Sequence, residues 1–162
     1  MAITPRIESA IKSFDRIILS GVPYLLKQNE TAFLSFMCSV AAIDALAAYR
    51  FRTNNVGDRF RDFITGYFPT AYRAHAANLY LLRCRLLHNF SPAYFTLVHA
   101  QPTAHLGGSP IGDTVLSDAV FFSDLKAAAQ NFFDEVRADA TRQADMEARL
   151  ADIGKGGAIY VE

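Results

Sequence analysis

The 162 residues match the length of one domain. With 51% hydrophobic and 20% charged residues, 13 Phe and 7 Tyr, the chain carries enough apolar surface to build an aromatic core, which excludes a disordered chain. A net charge of zero excludes a whole-molecule field that would gather nucleic acid or anionic lipid, yet residues 1–100 sum to +5 and residues 101–162 to −5.

Residues 5 to about 28 place Ile7, Ile11, Phe14, Ile18 and Leu25 at helical spacing, with Pro5 suited to a first turn and Gly21-Val-Pro23 placed to break the run. Asn29-Glu-Thr31 starts a second, long helix to about Arg52, carried by Phe33, Phe36, Met37, Val40, Ile43, Ala47 and Tyr49. Thr53 to Gly57 is turn chemistry, and Asp58 is expected to cap a short helix that Pro69 stops. One further helix is expected from Thr70 to about Phe90, ended by Ser91-Pro92. Between Ala93 and His105 the period changes to alternation, which predicts a small hairpin. Gly107 to Gly112 reads as loop, and a last helix starts near Ser117 or Asp118. Its continuation, Asp139 to Asp152, is charged and expected to project, to pack on another subunit or to fray; the tail Gly154 to Glu162 reads as a mobile end or an edge strand. The sum is one all-α domain over residues 1–162, a bundle of about five helices with a small β-hairpin or loop insertion before the last helix, its core at about residues 5–140.

The amino terminus lacks a basic stretch followed by an apolar run and cleavage site, and Asp44 and Arg50 interrupt the longest apolar runs, so a cytoplasmic chain with no membrane span is expected. Cys38 and Cys84 lack metal-ligand spacing and read as reduced core residues. The four histidines form no i,i+4 pair, so neither a metal nor another cofactor is expected. Cys84 has His88 at i+4, which a thiol nucleophile would need, but no third orienting group.

Chemistry concentrates in the fourth helix, where Arg83 and His88 interrupt an apolar run; each polar head there needs a partner. Five positions along a helix turn about 500°, so the two heads point about 140° apart unless two copies of the helix share one cleft about a twofold. Asp44, alone in an apolar helix, is the candidate carboxylate for one of these cations, and Arg85 and Asn89 flank the motif. Seven arginines and no lysine fall between Arg50 and Arg85, and the planar guanidinium suits phosphate.

Arg83-Cys-Arg-Leu-Leu-His88 has the form R-x4-H late in a bundle helix, and in that helical order it resembles the HEPN domain (higher eukaryotes and prokaryotes, nucleotide-binding). The resemblance implies an all-α fold, a homodimer with facing motif helices, and metal-independent endoribonuclease activity of toxin or defence type, with Arg83 and His88 catalytic and RNA as substrate. It also admits a nucleotidyltransferase-like antitoxin as partner. Cys84 stands where active members often carry Asn, Asp or His. The chemistry would be attack of a ribose 2′-OH on the adjoining phosphorus, with His88 moving protons and Arg83 holding phosphoryl oxygens. The alternative is a non-catalytic dimerisation module that binds nucleic acid, nucleotide or protein through the same helix.

Overall fold

The computed structural model of the chain describes residues 3–153, and the tail assigned above to an edge strand or a mobile end lies outside them. Thr4 opens α1 (Pro5–Phe14), its hydroxyl accepting the Ile7 amide, and Pro5 occupies the first turn, where a missing N–H costs nothing. The helix widens into a π-helical turn at Asp15–Leu19, and the break falls at Ser20-Gly21 before the one-turn α2 (Val22–Leu25). A Cβ at Gly21 would collide with the Ile17 carbonyl oxygen, so the break needs glycine.

The central element is α3 (Asn29–Arg50), which packs against every other long helix. By length and composition it could cross a membrane. Phe36, Val40, Ile43, Leu46 and Ala47 are instead consumed by the core. Helix α4 (Val56–Tyr67) is capped by Asn55, whose side chain accepts the Asp58 amide at 3.1 Å, so Asp58 is not the cap but the third residue inside. Phe60, Phe63 and Ile64 of α4 are fully buried.

Residues 70–90 are not one helix. Thr70–His75 form a 3-10 turn whose Tyr72 amide bonds the Pro69 carbonyl, and α5 (Ala76–Asn89) starts only after it. Pro69 enters in an extended conformation, and the buried Tyr72 hydroxyl is tied to His105 and Asp124 at 2.7 and 2.6 Å, which holds the first turn away from α geometry. Phe90 ends α5 in the left-handed conformation usual for a C-cap, with φ 53°.

The β insertion is not a hairpin. Strand β1 (Phe95–Val98) pairs in parallel with β2 (Thr114–Ser117), in register Phe95 with Thr114 through Val98 with Ser117. A parallel pair needs a crossover of a dozen or more residues, and the chain after Gln101-Pro102 forms a 3-10 turn rather than the returning strand. Asp118 fixes the start of that crossover. Its side chain has no solvent exposure, receives the Ala100 amide at 3.0 Å and meets His99 Nδ1 at 2.6 Å. Asp118→Ala would strand both donors, and a denaturant melt should show a loss of about 1–3 kcal/mol.

Helix α6 (Asp118–Ala138) buries Phe121, Leu125, Phe132 and Phe133 against the core. The charged stretch beyond it neither projects nor frays: Asp139 breaks the helix, its side chain accepting the Thr141 amide at 2.7 Å, and α7 (Ala140–Ile153) folds back on α1 and α3. Met146 is fully buried, and Glu147 bonds Thr4 and Arg6 across 2.5 and 2.7 Å. Sparse apolar residues suffice because Met146 and Gln143 are buried and Leu150 packs against the core. The insertion therefore precedes two helices, not one.

Tyr67 joins three helices: its hydroxyl accepts from Arg50 Nε at 2.8 Å and donates to Glu135 at 2.6 Å. Burial, helped by Glu135, pushes it up to about 12. An alkaline difference-spectrum titration should leave this tyrosine protonated until about pH 12.

Candidate functional site

Asp44 sits in the middle of α3, facing α4 and α5. Arg83 of α5 donates from Nη2 to Asp44 Oδ2 at 2.5 Å, so the lone carboxylate and the interrupting arginine do find one another. A second cation was not anticipated from the sequence: Arg59 of α4 stands 3.5 Å from Asp44 Oδ1. The three side chains are 17%, 20% and 9% exposed for Asp44, Arg83 and Arg59. Two guanidiniums share one carboxylate and leave a surplus positive charge. Burial works against the Arg83 cation, and the hydrogen bond and charge of Asp44 together with Cys84 outweigh it, holding the guanidinium above its ordinary value. Asp44 Oδ1, Arg59 Nε and Arg83 Nε are buried without hydrogen-bond partners.

His88 lies elsewhere on α5. It is exposed in the last turn and makes no hydrogen bond or ion pair among the described residues, so it does not cap the helix carbonyls. A single chain thus turns Arg83 inward to Asp44 and His88 outward, as the 140° between them requires. Arg85, three positions before His88 and about 60° away around the helix, is exposed with it, as is Asn89. Leu81 extends this outer stripe with 38% exposure. The following turn adds two exposed aromatics, Phe90 at 67% and Tyr94 at 51%, and the Arg85 guanidinium stands 6.0 Å from the Tyr94 ring centroid.

Cys84 is a free thiol, half-buried rather than in the core, as is Cys38. It touches Tyr80 and Arg83, and the contact with Cys84 followed by burial pushes the Tyr80 hydroxyl up. Among the described residues no group of three His, Cys, Asp or Glu side chains is placed to hold a metal ion. The predicted residues therefore divide into an internal set, Asp44 and Arg83 joined by Arg59, and a surface set, Arg85, His88 and Asn89 beside Phe90 and Tyr94. Arg59 carried a signal in its spacing, since Phe60, Phe63 and Phe63's neighbour Ile64 make the buried stripe and Arg59 borders it at i+4 from Phe63. No family model, curated protein or solved structure matches the chain.

Proposed function

We propose that the chain is a metal-independent endoribonuclease that works as a homodimer, with two α5 helices meeting about a twofold axis. The observation that carries this reading is His88: an imidazole at a helix end, solvent-exposed, without a hydrogen bond or ion pair among the described residues, and on the same face as Arg85. An imidazole can take or give a proton, and one with no hydrogen bond or ion pair among the described residues is free to make its bond to substrate. Around it stand the types that hold single-stranded RNA, a guanidinium for phosphate and exposed rings on which a base stacks.

The roles follow from the reaction. His88 takes the proton of the 2′-OH as the oxygen attacks phosphorus, and His88 of the partner subunit delivers one to the leaving 5′-oxygen. Arg85 meets the phosphoryl oxygens from the outer face. Arg83, fixed by Asp44 on another face of α5, supports the helix that carries His88 and Arg85. Leu81 and Ala77 on the outer stripe supply the apolar contact between copies.

The test is a mixed RNA incubated with the pure protein in EDTA. Fragments ending in 2′,3′-cyclic phosphate are the expected product, and light scattering should give twice the monomer mass at micromolar concentration. RNA that is bound and never cut would instead support a binding module, a reading favoured by the engagement of Arg83 with Asp44, which leaves only part of that guanidinium for substrate.

A further inference from the structure

We propose that His105 is a pH-sensitive latch that holds the crossover between β1 and β2 closed while its ring is neutral and releases it on protonation. Both ring nitrogens are committed. The Ser117 amide donates to Nδ1 at 3.1 Å, so the lone pair is there and the ring proton is on Nε2. Nε2 lies 2.7 Å from the Tyr72 hydroxyl, which gives its own proton to Asp124 Oδ2 at 2.6 Å. The direction of the chain is thereby settled: His105 to Tyr72 to Asp124. Tyr72 is a fixed O–H in this relay, because burial and Asp124 push it far above the usual tyrosine range.

A second proton on His105 has one place to go, Nδ1, where it would face the Ser117 N–H. Acceptor becomes donor, the bond is lost, and the ring must leave. The groups facing it from each packed element are Tyr72 and His75 from the 3-10 turn, Asp124 from α6 and the Ser117 amide from β2. Burial opposes the charge first and His75 adds to it, against the attraction of Asp124, so the folded value lies below the ordinary 6.5. The sign follows: the unfolded or opened ring binds a proton more readily, so the closed state is fully stable above 6.5 and weakens as pH falls from there through the folded value.

What would open is bounded by the other histidine of the crossover. His99 bonds the buried Asp118 carboxylate, a bond that an imidazolium makes as well as a neutral ring does, so Ala100 stays pinned. Beyond His105 the segment is held by Leu106 N–H to the Val115 carbonyl and Val115 N–H to the Gly107 carbonyl, both at 2.8 Å. Acid should free residues 105–113 as a flap hinged after Ala100.

Amide hydrogen exchange of the full chain, compared at about pH 7.5 and about pH 5 and corrected for intrinsic rates, reads this directly. Protection of the Leu106, Val115 and Ser117 amides should fall about tenfold or more relative to α6 amides, while Ala100 holds. The midpoint should coincide with the titration of the His105 Cε1–H resonance in the same sample. In His105→Asn, whose Oδ1 still accepts the Ser117 amide but does not titrate, the acid loss should vanish. A flat profile in the wild type, a midpoint that follows His75 or His99 instead, or an acid loss unchanged in His105→Asn would each overturn the latch.

Discussion

Replacing Asp44 with alanine should lower the melting temperature by about 5–10 °C, the largest stability effect of any single polar substitution in the chain. The carboxylate is the common counter-ion of Arg83 and Arg59, and all three heads are mostly withdrawn from water. Removing one member of a fully buried ion pair costs about 3–5 kcal/mol, because the charge left behind has lost its compensation. Water reaches the Arg83 edge of this cluster, which reduces the expected cost to about 2–3 kcal/mol even though two guanidiniums are stranded. For a domain of this size each kcal/mol is worth about 2–4 °C. Asp44→Asn separates the contributions: an amide oxygen can still accept from Arg83 but compensates neither cation, so a loss close to that of alanine assigns the effect to charge. An unchanged melting temperature in both variants would mean that the guanidiniums find water in the folded state.

That ion pair was legible in the sequence because each half broke a local rule. A carboxylate in an apolar helix and an arginine in another apolar helix each demand a partner, and each is the other's best one. Arg59 was obscured by its neighbours Asp58, Arg61 and Asp62, which make that part of α4 read as a solvated face; indeed Arg61 pairs with Asp58 at the surface. The long helix α3 and the break near Gly21 were equally legible, since both follow from local pattern and local sterics.

What was not legible depends on contacts distant in the chain. Alternation identified β1, but not that its partner lies beyond the Gly107 to Gly112 loop, because parallel pairing puts no turn signature between the strands. Asn55 and Asp58 are both good capping residues three positions apart, and only the formed helix distinguishes the cap from the third residue. The 3-10 turn at Thr70–His75 depends on Tyr72 being held by residues 33 and 52 positions away. The same distance hid the His105 relay. At the candidate site, spacing gave the angle between Arg83 and His88, and that angle already placed them on different faces of α5; which face carried the ion pair was settled by Asp44.

The largest functional effect is expected at His88. If its imidazole moves the proton in cleavage, His88→Ala should reduce the rate about 10²-fold or more, with the melting temperature unchanged because the ring is exposed and makes no hydrogen bond or ion pair among the described residues. The two arginines should then differ in kind. Arg85→Ala, at the exposed face, removes phosphate contact and should cost activity without cost to stability. Arg83→Ala should cost both, since it also strands Asp44 beside a single cation. Combining His88→Ala with Arg85→Ala should lose less than the product of the single losses, because groups that act in one transition state are not additive. RNA with hydrogen in place of the 2′-OH should bind and resist cleavage, as the internal nucleophile is gone. Equal rates for wild type and His88→Ala on the same RNA would remove His88 as the proton carrier and, with it, the case for catalysis on this face; an accompanying loss of RNA affinity in Arg85→Ala would leave the face as a binding surface.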